Sequence, residues 1–420
     1  MRGQWPISMP SGCLPRINRL TCSFRFVNTL NFPVATLPLG TPQTHYSHEV
    51  MSLDALIDEA RRANTSALFI TQAGQVLVDE VMDGQGDRPL ATMSVTKGVL
   101  SLLVGRAVTL GHLPGADHPV HEVFPEWRQG RKRDVTLRHL MTHTSGLQNV
   151  PHAGQEVYAS EDRLQLALCA ELDAAPGTRF SYNNKAMALI AGLLERVTGR
   201  RLDAFAREEL LGPLGITDWH WSVDGRGLPN GFADLFLHAR DLGRLGLLAL
   251  RDGEDLIRAD WMQESTRPAT PLNEQMGLLW FLLPAWTRYS VTPAHVQAAR
   301  NAGVDAGQLR ALEDCQCHEV TRDDLLTHLS RTGLVPQDLP ADLEWMSVHT
   351  GPPVGFRHDG FRGQNLIVHR EAKLVAVRMI SWDHPEVEAP ISAFSAFSDR
   401  VLALAQSPHA FQRRAGPMTQ

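Results

Sequence analysis

The sequence predicts an α+β protein in which an antiparallel sheet is assembled from both ends of the chain, with an all-α domain inserted between them. Three observations lead to this prediction. The chain opens with a helix and a hairpin, its middle third shows only helical periodicity, and it closes with a second hairpin and a helix. The two hairpins would complete one sheet, and the two terminal helices would flank it.

The opening elements have clear local signals. Ser52 is a good N-cap for a first helix whose apolar residues recur at helical spacing. The period then changes to that of a strand on either side of Ala73-Gly74, which predicts a β-hairpin over 67–79. The segment 1–50 lacks such periodicity, so we expect it to be disordered or to precede the natural start at Met51.

Helical patterns separated by Gly or Pro run from 94 to 269, and this segment is the predicted helical domain. The sheet domain is then discontinuous and comprises 51–93 and 270–410. A polar stretch, 284–350, shows no recognisable strand. We expect it to be an insertion within the sheet domain that forms a partly helical cover over the pocket mouth.

The end of the chain repeats the pattern of its beginning. After a strand-like run at 277–283, two further runs at 363–369 and 374–380 predict the second hairpin. An amphipathic helix from Pro390 to about Ala405 closes the predicted fold.

The composition argues against several classes of protein. A formal net charge of −6 and a pI of about 6.3 offer no basic surface, so we expect no nucleic-acid partner. The five cysteines are scattered, and Cys315 and Cys317 lack the second pair that a closed zinc site needs. No apolar run approaches the ~20 residues of a membrane span, and no signal peptide is recognisable. We expect a soluble, cytoplasmic protein without metal or cofactor.

The stretch Ser94-Val95-Thr96-Lys97, at the start of an apolar helix, is the main candidate for catalysis. Residues three apart share one helix face, so the Ser94 hydroxyl and the Lys97 amine would lie one above the other. A lysine buried by the apolar residues after it could stay neutral and accept the serine proton. In the alternative interpretation Ser94 is only an N-cap, because Ser-x-x-Lys also arises by chance.

A second candidate segment is Tyr182-Asn183-Asn184, which follows a predicted turn and leads into a helix. An acyl-transfer site needs a second group that handles protons and a group that holds the substrate amide, and Tyr182 and Asn184 offer both. In the alternative interpretation, Asn184 only caps the helix and Tyr182 only packs.

The third candidate segment, His358-Asp359-Gly360-Phe361, directly precedes the closing hairpin. Gly360 allows the backbone to approach a substrate closely, and the Phe361 N–H could complete an oxyanion hole with the Ser94 N–H. By itself, however, a His-x-Gly pattern is also typical of a solvent-facing turn.

Taken in order, these motifs resemble those of the class C β-lactamase and penicillin-binding-protein-like serine hydrolase family. Ser94-Val95-Thr96-Lys97 is similar to the family's Ser-x-x-Lys, Tyr182-Asn183-Asn184 to its Tyr-x-Asn, and His358-Asp359-Gly360 to its Lys/His-x-Gly box. The stretch 137–147, LRHLMTHTSGL, resembles the family's RHLLTHTSGL segment, and we expect His139 and His143 within it to be structural. The resemblance covers about 52–405 apart from the insertion, and it implies the β-lactamase/transpeptidase-like fold with a pocket between two domains.

The resemblance also implies a serine hydrolase that forms an acyl-serine intermediate on a small ester, amide or peptide, as a carboxylesterase or amide hydrolase does. Ser94 would be the nucleophile, and Lys97 and Tyr182 would share the proton transfers. Asn184 would hold the amide side of the substrate. His358 would take the place of the cationic residue that tunes the tyrosine.

The third motif departs from that of true class C β-lactamases, which carry Lys-Thr-Gly. If Asp359 faces the pocket, its carboxylate would repel an anionic β-lactam and favour a neutral ester or amide, or an amine-bearing peptide. If it points to solvent, it favours neither. The alternatives are a β-lactamase or D,D-peptidase, and a catalytically idle relative that only binds a ligand.

Overall fold

The computed structural model describes residues 51–150, 156–340, 343–384 and 396–407. The expectation for 1–50 and the predicted start of the last helix at Pro390 lie outside these residues. The strands are β1 (Ala67–Gln72), β2 (Gln75–Val81), β3 (Leu90–Ala91), β4 (His220–Trp221), β5 (Leu235–Leu237), β6 (Phe281–Pro284), β7 (Thr287–Val291), β8 (Cys317–Val320), β9 (Ser347–Thr350), β10 (Pro353–Gly360), β11 (Gln364–His369) and β12 (Leu374–Met379). The α-helices are α1 (Leu53–Arg62), α2 (Thr96–Thr109), α3 (Val120–Val123), α4 (Leu137–Met141), α5 (Arg163–Cys169), α6 (Asn184–Thr198), α7 (Leu202–Ala206), α8 (Ala239–Leu250), α9 (Ala259–Ser265), α10 (Pro293–Asn301), α11 (Ala306–Asp314), α12 (Arg322–Thr332) and α13 (Phe397–Gln406).

An antiparallel sheet with the strand order β2-β1-β12-β11-β10-β6 forms the centre of the fold. The pairing of β1 with β12, in which Ala67 lies opposite Met379, joins the first hairpin to the last. The first hairpin turns at Ala73 and Gly74, whose φ values of 49° and 84° are typical of a tight two-residue turn. This arrangement confirms the predicted α+β class and the assembly of the sheet from both ends of the chain.

Alternate side chains of the sheet enter two different apolar clusters. Ile367 belongs to the cluster shared with α1 and α13, whereas Leu366 and Val368 belong to the large cluster shared with α2, α6 and α8. Ser52 caps α1 as predicted, because its Oγ accepts from Ala55 N at 3.2 Å. The terminal helices therefore cover one face of the sheet, and the helical segment covers the other.

The prediction that the middle third is all-helical is wrong. The short strands β3, β4 and β5 form a separate antiparallel sheet, in which Ala91 lies opposite Phe236. Strands of two or three residues are too short to show an alternating pattern in the sequence. This small sheet matters for the site because β3 ends just before Ser94 and pairs with β5.

The insertion also contains strands that the sequence did not reveal. β7, β8 and β9 form an antiparallel sheet that packs with α10, α11 and α12 around an apolar cluster including Val291, Leu312 and Leu325. Only one residue of β8 and none of β9 is buried, so neither strand has an apolar face to show in the sequence.

The insertion is connected to the central sheet at the Pro353 end of β10, which is the end farther from His358. Pro353 of β10 pairs with Pro284 of β6 at this end, and β10 then runs toward His358. The insertion also contacts α13, through an ion pair of Asp323 with Arg400 at 3.0 Å. These contacts do not support the expected cover over the pocket mouth.

Candidate active site

Ser94 lies in a 3₁₀ turn, Met93–Val95, that leads directly into α2. Met93 has a φ of 48°, a costly conformation for a residue with a side chain, so the chain turns sharply before the serine. Thr92 fixes this turn because its N and its Oγ1 both donate to Leu235 O at 2.9 Å. The serine is thereby presented at the start of a buried helix, as the sequence predicts.

Lys97 lies one turn further along and is completely buried. Its Nζ is 3.0 Å from Ser94 Oγ and donates to Phe232 O at 2.8 Å. Burial holds the pKa of Lys97 well below its usual value, and the charge of Asp234 opposes this effect only in part. The amine is therefore suited to accept a proton at neutral pH.

Tyr182 makes the second contact with the serine. Its Oη donates to Ser94 Oγ at 3.0 Å, and the centre of its ring lies 4.8 Å from Lys97 Nζ. Burial, with a smaller contribution from the charge of Asp359, raises the pKa of Tyr182, so the phenol keeps its proton. Ser94 Oγ thus lies between a buried amine and a partly buried phenol.

His143 fixes the segment that carries Tyr182, a contact that the sequence did not reveal. The two rings are 4.5 Å apart, His143 Nδ1 accepts from Asn183 N at 3.1 Å, and His143 O accepts from Ser181 N at 2.8 Å. The structural role of His143 is therefore to position the segment that carries Tyr182. The 137–147 motif draws attention to His143, but its contact with Tyr182 cannot be inferred from the sequence because the two residues are far apart along the chain.

Asn183, rather than Asn184, caps α6. Asn183 Oδ1 accepts from Lys185 N at 2.9 Å, and its Nδ2 donates to Leu147 O at 2.9 Å. The interpretation of Asn184 as a cap is therefore wrong. Asn184 is the first residue of α6, and its Oδ1 is buried with no hydrogen-bond partner in the described part of the chain, as expected of a group that binds a ligand.

His358 is a buried, neutral residue of β10. Its Nδ1 is 2.9 Å from Asp359 O, and because a carbonyl only accepts, Nδ1 carries the proton and Nε2 is left as an acceptor. Nε2 is buried and has no partner among the residues that the structure describes. Burial is the main cause that lowers the pKa of His358 to about 3. The structure therefore does not support its expected role in place of a cationic residue.

Asp359 and His358 lie on opposite faces of β10, since successive side chains of a strand alternate. Asp359 forms an ion pair with Arg357, and Arg357 Nη1 lies 3.5 Å from Ser398 Oγ on α13. The carboxylate is thus on the side of the terminal helices, with its charge offset by a guanidinium. Its charge still acts on Tyr182, and the effect of Asp359 on the choice of substrate stays a prediction.

The end of β10 lies directly against the Ser94 turn. A Cβ on Gly360 would lie 2.8 Å from Thr92 O and 3.1 Å from Met93 Cβ, so this close approach requires glycine. β6 pairs with β10 only as far as Arg357, and the last three residues of β10 pair with β11 alone. The edge of β10 beside the serine is therefore open, and Phe361 follows it in a 3₁₀ turn.

In the described residues, no group of three or more His, Cys, Asp or Glu side chains is placed to hold a metal ion. Within the same residues, no helix has both the length and the apolar character needed to cross a bilayer. Cys315 is buried inside the insertion, and burial raises the pKa of its thiol to about 11.

Comparison with known proteins finds a matching family model and several relatives. A family model described as Beta-lactamase matches residues 53–398. The chain is 30% identical over 197 residues to Esterase EstB of Burkholderia gladioli, a match that covers 40% of this chain and 50% of the relative. It is 27% identical over 189 residues to Esterase/beta-lactamase LipL of Mycobacterium tuberculosis, which covers 42% and 43%, respectively. The chain thus spans about half the length of these curated relatives.

The fold is also similar to that of solved structures. A penicillin binding protein from Bacillus halodurans matches with a TM-score of 0.53 at 12% identity, covering 83% of this chain and 99% of that one. At this identity the likeness concerns the fold alone. It confirms the predicted β-lactamase/transpeptidase-like architecture.

Proposed function

The chain belongs to the β-lactamase family, and from that premise we propose that it is a serine hydrolase that forms an acyl-serine intermediate on small esters or amides. One observation carries the proposal: Ser94 Oγ lies 3.0 Å from both Lys97 Nζ and Tyr182 Oη. A serine between a buried amine and a partly buried phenol has a base and an acid within reach, and such a serine is an activated nucleophile.

Lys97 acts as the general base of acylation. Its lowered pKa provides a neutral amine, which accepts the Ser94 proton while Oγ attacks the carbonyl carbon of the substrate. The hydrogen bond to Phe232 O keeps Nζ in position during the transfer. Because burial causes the shift, this role depends on the apolar surroundings of α2.

Tyr182 acts as the proton donor to the leaving group. Its raised pKa keeps the phenol protonated, and its Oη is already at hydrogen-bond distance from Ser94 Oγ. When the tetrahedral intermediate collapses, the phenol gives its proton to the departing alcohol or amine and regains one from Lys97. In deacylation, water loses a proton to the same pair, and Ser94 leaves as an alcohol.

The backbone N–H groups of Ser94 and Phe361 bind the oxyanion in this proposal. The N–H groups in the first turn of a helix have no intrahelical acceptor, and the positive end of the α2 dipole favours a negative charge there. The contact at Gly360 brings the end of β10, and Phe361 after it, against the Ser94 turn. Loss of one such donor typically costs about 3 kcal/mol of transition-state stabilisation.

A substrate without an anionic group suits this site better than a β-lactam does. His358 is neutral at the motif position where true class C enzymes have a lysine. Asp234 places a negative charge close enough to act on Lys97. An anionic substrate would therefore gain no attraction from His358 and would be repelled by Asp234. The esterase names of the two curated relatives support the same choice.

The main rival enzyme is a β-lactamase or D,D-peptidase, and one of the relatives carries the names esterase and β-lactamase together. From another class, the rival is a catalytically idle protein that only binds a ligand. A binding protein does not need a serine in contact with both a buried lysine and a tyrosine. Those contacts favour the enzyme.

Incubation with a fluorophosphonate probe, a p-nitrophenyl ester and a chromogenic cephalosporin tests the proposal. We expect labelling of the protein, hydrolysis of the ester, and a lower kcat/KM for the cephalosporin. Ser94→Ala should lose labelling and turnover. Ser160→Ala is the matched control and should behave like the wild type, because among the described residues Ser160 Oγ accepts only from Asp162 N, outside the site.

Full ester hydrolysis by Ser94→Ala would contradict the nucleophile assignment. A higher kcat/KM for the cephalosporin than for the ester would instead leave the nucleophile standing and favour the β-lactamase alternative.

A further inference from the structure

Asp234 is a partly exposed carboxylate near the catalytic groups, and the mechanism above does not use it. Its Oδ2 accepts from Asn230 Nδ2 at 2.8 Å, and its Oδ1 lies 3.4 Å from the Tyr158 hydroxyl. Both donors are neutral, and Asp234 forms no ion pair within the residues that the structure describes. A carboxylate has about four acceptor positions, so it can accept further hydrogen bonds from a ligand.

Asp234 lies beside the turn that precedes α2. Lys97 Nζ donates to the O of Phe232, which is two residues earlier in the chain. The next residue, Leu235, begins β5, and its O accepts from Thr92 N at 2.9 Å, where β5 pairs with β3. The charge of Asp234 also acts on Lys97, where it opposes the effect of burial on the pKa. The carboxylate therefore lies close enough to the catalytic groups for its charge to act on Lys97.

The surrounding residues hold this carboxylate rigidly, and those that the structure describes form no direct ion pair with it. Asp234 has a φ of 61°, a left-handed conformation that costs energy for most residues and less for aspartate. Asn230 Oδ1 accepts from Arg163 Nη1, and Arg163 Nε donates to Val157 O at 3.0 Å. The guanidinium is thus linked to Asp234 through Asn230.

Tyr158 lies on the solvent-exposed side of the Asp234 carboxylate. It is 39% exposed, and its ring packs edge-on against the Phe232 ring at 5.0 Å. The loop that carries it is anchored by an ion pair of Glu156 with the buried Lys185 at 2.8 Å. A carboxylate next to an aromatic ring suits an organic ammonium, because the charge pairs with the carboxylate and the ring can share a cation, as the Tyr158 ring already does with the Arg163 guanidinium at 5.9 Å.

We propose that Asp234 and Tyr158 form a subsite for an ammonium group on the acyl part of the substrate. The preferred substrates would then be esters or amides of amino acids with a free amine. This inference rests on the proposed serine hydrolase function and names its substrate class. The ammonium donates to the Asp234 carboxylate while the carbonyl carbon lies at Ser94 Oγ.

A different role for Asp234 makes a different prediction. If its carboxylate only tunes Lys97, then its removal changes the turnover of every substrate by the same factor. If it binds an ammonium, its removal weakens only the substrates that carry one. The ratio of kcat/KM for two substrates that differ only in the amine separates these roles, since any change in Lys97 cancels.

The test compares benzyl esters of L-alanine and D-alanine with benzyl propionate, which lacks the amine, by the release of benzyl alcohol. At about pH 6.5 the amine of the alanine esters is largely protonated. For one enantiomer, we expect the wild type to prefer the alanine ester by about tenfold, as a charge pair worth about 1.4 kcal/mol gives. Asp234→Asn should remove this preference. Asp255→Asn removes an exposed carboxylate and is the control that should keep it.

Four results would overturn the subsite. An unchanged ratio in Asp234→Asn, or no preference in the wild type, overturns it while turnover of benzyl propionate upholds the hydrolase. No turnover of any ester, together with no fluorophosphonate labelling, overturns the hydrolase and the subsite with it. If Asp234→Asn does not fold, the wild type decides: 1-aminoethylboronic acid should inhibit at about tenfold lower concentration than ethylboronic acid, and equal inhibition overturns the subsite.

Discussion

The burial of His358 should make the protein lose stability in mild acid. This side chain is 1% exposed, and burial is the main cause that lowers its pKa to about 3 from an ordinary value of 6.5. Between these two values the unfolded chain binds a proton that the folded protein does not. Stability rises with pH wherever the unfolded state binds more protons, so the contribution of His358 is complete above pH 6.5 and is lost as the pH falls toward 3.

The size of the effect follows from the two pKa values of His358. Each unit of pKa corresponds to 1.36 kcal/mol, so the full contribution is about 5 kcal/mol, all of it lost once the pH is below 3. At pH 5, about 1.5 pH units below the ordinary pKa of histidine, the free energy of unfolding is lower by about 2 kcal/mol. A difference of this size is easily measured by urea unfolding.

The assay compares the wild type with His358→Gln, which cannot titrate, by urea unfolding at pH 7.5 and pH 5. We expect the wild type to lose about 2 kcal/mol more than the variant between the two conditions. His318→Gln, at an exposed histidine of β8, is the control and should follow the wild type. Equal losses in the wild type and His358→Gln would refute the inference that this histidine is held neutral by burial.

Three further predictions concern the contacts of the site. Tyr182→Phe should lower kcat by about 10²–10⁴-fold in steady-state kinetics, because the proton donor is lost, and an unchanged kcat would remove Tyr182 from the mechanism. Gly360→Ala should lower the free energy of unfolding by about 1–3 kcal/mol and slow probe labelling, since its Cβ would meet Thr92 O at 2.8 Å; wild-type values for both would contradict that contact. Asp359→Thr should change the ratio of cephalosporin to ester turnover by less than about threefold, because Arg357 offsets the carboxylate. A tenfold gain would instead place Asp359 against the ligand.

The elements that could be predicted have strong local signals. Ser52 caps α1 and Ala73-Gly74 turns the first hairpin, because a cap and a turn depend on a few adjacent residues. The missed strands depend on partners far along the chain. β3 and β5 exist because they pair with each other, and β8 and β9 because they flank β7. These segments are short or mostly exposed, so they lack the alternation of apolar and polar residues that predicts a strand.

The site shows the same division. The motif residues Ser94, Lys97 and Tyr182 come together as the sequence predicts. His143 and Asp234 could not be found in this way, because their contacts arise from segments that meet only in the folded chain. The motif also could not predict that His358 is neutral. Its charge depends on how deeply the side chain is buried, and the residue type alone does not specify burial.

Acylation of Ser94 is tested most directly by mass spectrometry of the protein quenched in acid during turnover of a p-nitrophenyl ester, followed by peptide mapping. We predict an adduct with the mass of the acyl group on the peptide that contains Ser94, and no adduct on Ser94→Ala. Ester turnover with the acyl group on another residue, or with the same rate in Ser94→Ala, would contradict the proposed mechanism.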